Sequence, residues 1–219
     1  METSSSSIKT SDCLTGVELY AKTQLPLEWG VFDVSVYRSV QDQGEHLVIS
    51  MGNLDGKVPP FLRIHSECFT GEVLGSLRCD CKRQLDAALE SIARDGHGML
   101  IYIRNHEGRG IGLGNKIRAY ELQQKKGLDT IKANHALGFQ ADLRNFSVAV
   151  DILKALHISQ CRLNTNNPKK MKALEDAGIS IKELVPSLSE PNPHNDHYLR
   201  TKFHSLGHHL EGLFGERTQ

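Results

Sequence analysis

The chain has 219 residues, 39% of them hydrophobic and 24% charged, values ordinary for a globular protein and sufficient for one large domain. Lys plus Arg and Asp plus Glu number 26 each, so the chain as a whole has no electrostatic footprint for nucleic acid or an anionic membrane. It has no apolar run long enough to span a bilayer, its Met1–Ser7 start is unlike a signal peptide, and its five cysteines do not form a disulfide framework, so a reducing cytoplasm is expected.

In chain order, residues 1–24, rich in Ser and Thr, read as a flexible leader. A single domain is expected over 25–210 and a tail over 211–219. Val31–Tyr37 and His46–Ser50, separated by Gln41-Asp42-Gln43-Gly44, predict an N-terminal antiparallel hairpin. Phe61–His65 predicts a third strand that runs directly into a cysteine-containing segment. Over Lys82–Asp95, Leu85, Ala88, Leu89 and Ile92 recur at i, i+3, i+4 and i+7, the stripe of an amphipathic helix that Gly96 can end.

Met99–Ile103 reads as a strand buried on both faces, His106–Gly112 as a Gly-rich break, and Asn115–Lys126 as a helix. The alternation continues with a helix over Ser147–Leu156, a strand over Cys161–Asn164, a helix over Pro168–Ala177 and a strand over Ile179–Val185. Asn167 and Gly178 suit the cap and the end of the third of these helical segments. A polar link, Ser189–Asn195, leads into a His-rich terminal helix. This pattern predicts an α/β fold, a three-layer α/β/α arrangement around a mixed sheet to which the hairpin adds antiparallel strands.

Four segments carry chemistry. Cys68, Cys79 and Cys81 lie within 14 positions. Three thiolates satisfy most of a tetrahedral zinc ion, and the open position of a catalytic site distinguishes it from a closed structural one. A fourth ligand from Cys13, Cys161 or a distant His would close it. In His106–Gly112, glycines permit close backbone approach and Arg109 offers a planar fork to phosphate. Thr165-Asn166-Asn167-Pro168-Lys169-Lys170 joins a strand to a helix, where free N–H groups and two lysines suit an anion; alone, it reads rather as a plain Asn cap with solvated lysines. Asp142 and Arg144, two apart, read on their own as a surface pair, and the terminal histidines as a solvated face.

Taken together, six segments resemble the GTP cyclohydrolase II family, the zinc enzymes that open the riboflavin pathway. They are Arg63–Cys68, Ser76–Cys81, Glu107–Gly112, Asn115–Tyr120, Leu137–Phe139 with Asp142–Arg144, and Thr165–Lys170. The resemblance implies that Cys68, Cys79 and Cys81 hold one zinc ion. It implies that GTP is contacted by Arg63, Ile64, His65, Ser66, Glu67, Gln84, Glu107, Gly108, Arg109, Thr130, Thr165 and Lys170. Asp142 matches a proton acceptor, Arg144 a nucleophile or phosphate-stabilising cation, and Tyr120 a tyrosine beside the reacting base.

Magnesium on the triphosphate and a homodimer are implied as well. Lys82-Arg83, His106 and Gly114 depart from the common pattern without removing an implied site residue. Some relatives carry a fused dihydroxybutanone phosphate synthase domain, for which the roughly 60 residues before Arg63 are too few. Two alternatives stay open: a paralogue that serves another pathway or retains the formyl group, and an inactive zinc- or nucleotide-binding protein.

Overall fold

In the computed structural model, which describes residues 16–55 and 57–215, the chain enters on strand β1 (Val17–Leu27). It turns into β2 (Gly30–Ser39) and then β3 (Glu45–Met51). Next come β4 (Phe61–Ser66), a one-turn helix α1 (Phe69–Glu72), α2 (Cys81–Asp95) and β5 (Gly98–Ile103). A 3₁₀ turn at Glu107–Arg109 precedes α3 (Leu113–Lys126) and α4 (Thr130–Ala136). Then follow α5 (Ser147–Ala155), β6 (Gln160–Asn164), α6 (Pro168–Asp176), β7 (Ser180–Val185), α7 (Asp196–Leu206) and α8 (Glu211–Phe214).

One seven-stranded sheet results, in the order β1-β2-β3-β5-β4-β6-β7. The β1/β2, β2/β3 and β3/β5 pairs are antiparallel, while β5/β4, β4/β6 and β6/β7 are parallel. The expected mixed α/β sheet is therefore present, and the expected hairpin is β2–β3. Its N-terminal boundary moves, however. Residues 17–24, expected in the leader, form most of β1, and α8 occupies part of the expected tail, where Phe214 packs 5.7 Å from the Phe203 ring. The rest of the leader, residues 1–15, lies outside the described residues.

The central strands are apolar on both faces because both are covered. Leu62, Ile64, Met99, Ile101 and Ile103 pack with Val148, Ile152 and Leu153 of α5 and Leu174 of α6. On the opposite face Phe61 and Leu100 meet Phe32, Val34 and the Ala88, Leu89 and Ile92 stripe of α2. Each fully buried aliphatic side chain contributes about 1.5–3 kcal/mol. Cys161 belongs to the first core, where burial pushes its thiol up to about 12. It is thus not a fourth ligand to the cysteine trio, and Cys13 lies outside the described residues. No described helix is long and apolar enough to cross a membrane.

From β4 the chain crosses through α2 to β5 on one side, and from β5 it crosses back through α5 to β6 on the other. A crevice opens beyond the carboxyl ends of strands where the order reverses in this way. The segments after β4, β5 and β6 are Glu67–Cys68, His106–Gly112 and Thr165–Asn167.

Candidate active site

These loops line a cleft with two lobes that share Ser66, Cys81, Arg109, Arg144 and Tyr198. The first lobe holds the thiols. Cys68 caps α1, and Cys81 opens α2 directly after its cap residue Asp80, so Cys81 lies at a helix end whose dipole favours thiolate. The Sγ atoms of Cys68, Cys79 and Cys81 all lie within 4.8 Å of one another, the only such His/Cys/Asp/Glu cluster among the described residues.

Backbone approaches the cluster closely at Gly71, where an added Cβ would stand 2.7 Å from Cys79 Sγ and 3.3 Å from Cys68 Sγ. Hydrogen bonds from the Cys79 and Cys81 thiols, assisted by the Lys116 ammonium, hold Cys68 far below the usual thiol range. The same sharing raises Cys79 to about 11 and also pushes Cys81 well above the usual thiol range. Without metal, the trio thus concentrates one thiolate charge on Cys68, and a divalent ion would displace the remaining thiol protons. Donor type, spacing and the glycine cradle fit zinc.

Lys116 was not legible as a site residue, yet it ties this lobe together. Its Nζ lies 3.1 Å from Cys68 Sγ and 2.5 Å from Glu107 Oε1. Burial alone would favour its neutral form, but Cys68, Tyr120 and Glu107 outweigh that and keep it charged. The other Glu107 oxygen accepts from the Phe69 backbone N–H at 2.6 Å, so Glu107 anchors the turn that carries Cys68. Tyr120 flanks the thiols with the Arg78 guanidinium 4.7 Å from its ring. Burial raises its phenol pKa, which keeps it protonated.

The second lobe is a cationic chamber lined by Arg63, Arg109, Arg144, Lys170 and Lys202, with Asp80 as its one carboxylate. Arg63 donates to the Asn164 carbonyl at 3.1 Å and to Gln84 Oε1 at 2.5 Å, and Gln84 in turn donates to Asp80 at 2.5 Å. Lys170 Nζ donates to the Ile64 carbonyl at 2.7 Å. Burial, then the charges of Arg63, Arg144 and Lys202, hold Lys170 well below the ordinary lysine range. Arg63 Nε and both Arg109 Nη atoms are buried without a hydrogen-bond partner. A mutually repelling group of cations with unused donors is arranged for a polyanion.

Arg144 stands where the lobes meet. Its Nε and Nη2 donate to the two Asp142 oxygens, each at 2.9 Å, and its backbone N–H donates to Oδ1 at 3.1 Å. Burial would raise Asp142, but the Arg144 hydrogen bonds and charge prevail and hold it below the usual carboxylate range, while Arg144 is raised. The pair that reads as a surface ion pair in sequence is largely withdrawn from solvent, its Arg144 and Asp142 side chains 12% and 5% exposed. Its loop is pinned by Leu143 N–H on the Arg109 carbonyl at 3.0 Å.

Of the residues expected at the site, all but Ile64 and Asp142 line the cleft. Ile64 points its side chain into the core, and Asp142 supports Arg144. His65 is bound to Glu72 at 2.8 Å and stacks on Tyr102. In the Thr165–Lys170 segment, Asn167 does cap α6, yet only Lys169 is solvated while Lys170 is buried. His194, His197, His204 and His209 are exposed as expected, but His194 and His197 also line the thiol lobe, and the less exposed His208 lines the chamber. Asp80, Lys116, Tyr198 and Lys202 were missed. The position of Asp80 between two cysteines, and the i, i+4 spacing of Tyr198 and Lys202, were the signals available.

Residues 18–186 match the family model described as GTP cyclohydrolase II. The GTP cyclohydrolase-2 of Aeromonas hydrophila is 50% identical over 195 residues, 89% of this chain and 98% of that protein. The GTP cyclohydrolase-2 of Teredinibacter turnerae is 50% identical over 196 residues, 90% of this chain and 98% of that one. The riboflavin biosynthesis protein RibBA of Aquifex aeolicus is 48% identical over 194 residues, 89% of this chain and 48% of its own length. By this match over most of its length, the chain belongs to the GTP cyclohydrolase II family.

Proposed function

We propose that this chain hydrolyses GTP to 2,5-diamino-6-(5-phosphoribosylamino)pyrimidin-4(3H)-one, formate and diphosphate, the first step of riboflavin biosynthesis. The observation that carries this reading is the contiguity of the two lobes through Arg109 and Arg144, which line both. A nucleotide laid across them has its phosphates among cations and its base beside the thiols. Cys68, Cys79 and Cys81 would hold one zinc ion per subunit. Bound there, zinc supplies Lewis-acid polarisation and lowers the pKa of a coordinated water to about 7.

The protein's own groups divide the remaining work. Arg63, Arg109, Lys170 and Thr165 grip the triphosphate, with Gln84 fixing the Arg63 fork; magnesium carried on the triphosphate would offset its remaining charge. Ser66, Glu67, Gly108 and Thr130 shape the walls, while Ile64 and His65 hold the β4 end from behind. Glu107 keeps Cys68 and Lys116 in place. Tyr120, protonated at neutral pH, donates a hydrogen bond to the opening base.

For diphosphate release, an Arg144 attack on the α-phosphorus would need its proton to pass to Asp142. The pair favours the other role, because Asp142 is held ionised and Arg144 charged. Water then supplies the oxygen that bonds to the α-phosphorus as the bond to diphosphate breaks, its proton passing to solvent, while Arg144 stabilises the developing phosphate charge and Asp142 aims it.

The reading extends to a cytoplasmic homodimer, supported by four free thiols among the described residues and by exposed Val73, Leu74 and Leu77. Zinc-loaded protein incubated with GTP and magnesium, followed by mass spectrometry, tests the reaction. Formate, diphosphate and the diaminopyrimidine ribosyl phosphate are expected. A product that keeps the formyl carbon points to the truncated reaction, and unchanged GTP sinks both.

A further inference from the structure

One wall of the cationic chamber comes from α7 and the turn after it, through Tyr198, Lys202 and His208, none of them among the site residues that the family resemblance implied. The segment is built onto the chamber. The His209 backbone N–H donates to the Asn166 carbonyl at 2.8 Å, the His208 N–H to the Lys202 carbonyl at 3.1 Å, and Leu210 is buried. Tyr198 and Lys202, one helical turn apart, face the cleft together. The Lys202 ammonium lies 4.5 Å from the Tyr198 ring centroid and 2.7 Å from Asp80 Oδ1, with only 8% of the residue exposed. An ammonium has three donors, and Asp80 takes one of them.

We propose that Lys202 is a polyphosphate-binding residue, the fifth cation of the chamber beside Arg63, Arg109, Arg144 and Lys170. A lysine whose sole task was to neutralise Asp80 would not need to line the cavity, and the chamber would not need its charge. Lys202 instead adds to a field strong enough to matter to its neighbours: with burial, it helps depress Lys170 and push His208 down to about 2. A polyanion relieves that repulsion and finds a free donor on Lys202 as well as on Arg109 and Arg63. The inference rests on the reading of this chamber as a triphosphate site.

Titration calorimetry of inorganic triphosphate into the full-length chain, with zinc content measured alongside, tests it. Lys202→Met should weaken triphosphate binding by at least about 10-fold, the loss of one charge-assisted hydrogen bond. Lys202→Arg should stay within about threefold of the wild type, and zinc content should not change. Adding Asp80→Asn to Lys202→Met should leave binding weak. Unchanged binding in Lys202→Met overturns the proposal. So does recovery in the double variant, which would show that Lys202 only neutralises Asp80. Should Lys202→Met lose its melting transition, Lys202→Gln is compared with Lys202→Arg on the same terms. A wild-type chain that binds no triphosphate refutes the underlying reading of the chamber, whereas wild-type binding that ignores position 202 refutes this proposal alone.

Discussion

The two lobes of the cleft are built on different length scales. The cysteine cluster of the first lobe is nearly local: Cys68 and Cys79, whose sulfurs lie 3.6 Å apart, are 11 positions apart in sequence. The cationic chamber is assembled across the fold, with Arg63 bound to Asn164 101 positions away and Lys202 to Asp80 122 positions away. A local cluster depends on one turn and on donor chemistry, so single substitutions should abolish its function outright. A distributed chamber shares its task among several cations, so single losses there should be graded.

Cys79→Ser gives the largest expected effect and the clearest test of that contrast. Removing one of three thiolates should reduce zinc retention and cut formate release by at least about 10³-fold, on the scale of losing a metal-activated water. Triphosphate affinity should stay within about threefold, because no cation of the chamber is touched. Formate release near the wild-type rate would break the zinc assignment, and a large loss of triphosphate binding would break the separation of the lobes.

Lys170→Met is the converse, with a smaller effect. A buried ammonium bonded to a polyanion is worth about 1.5–3 kcal/mol, so GTP affinity should fall by roughly 10- to 150-fold while zinc content holds. The pH dependence has a definite sign. Lys170 begins well below the ordinary lysine range in the free protein, and a bound polyanion raises it. Affinity is therefore full below the free-state pKa and falls as pH rises through the interval to the bound-state pKa. Lys170→Arg, which stays charged, should move that alkaline fall upward; calorimetric titrations across pH read both.

Lys116→Met probes the supporting contacts of the thiol lobe. Three thiolates around a divalent ion leave an excess negative charge, and Lys116 at 3.1 Å from Cys68 offsets it. Loss of such an outer contact typically costs about 10- to 100-fold in metal affinity, so a chelator competition should show weaker zinc retention. Triphosphate binding should not move. If zinc affinity is unchanged, Lys116 serves packing alone.

The same difference in length scale explains what the sequence disclosed. The thiol trio, the apolar β4 and β5 strands and the α2 stripe were legible because each is local and periodic, and both faces of the central strands are buried. Strand β1 was missed because almost all of it is exposed. It is held at the sheet edge by backbone pairing to β2, which leaves no apolar alternation to read. Asp142 and Arg144 looked like a surface pair, since nothing in two neighbouring residues reports burial. The α7 wall was invisible for the same reason: Lys202 meets Asp80 only after the fold has brought α7 back against the start of α2.

Gly110 joins the lobes, and its substitution should show the smallest effect in each of them. It has φ 91°, and an added Cβ would stand 3.1 Å from Leu143 Cβ, between Arg109 and the Arg144 loop. Gly110→Ala therefore combines left-handed strain with a contact that forces the loop to shift, at a cost of roughly 1–3 kcal/mol. Neither the thiols nor the buried Arg63 and Lys170 are touched directly, so zinc content and triphosphate affinity should each stay within about threefold. What should fall, by about 10-fold or more, is diphosphate release from GTP, because a displacement of Arg144 by even 1 Å misaligns a group that must act on phosphate held by the rest of the chamber. Equal losses in binding and turnover would mean that Gly110 serves the chamber alone, and the two lobes would then not be coupled through this loop.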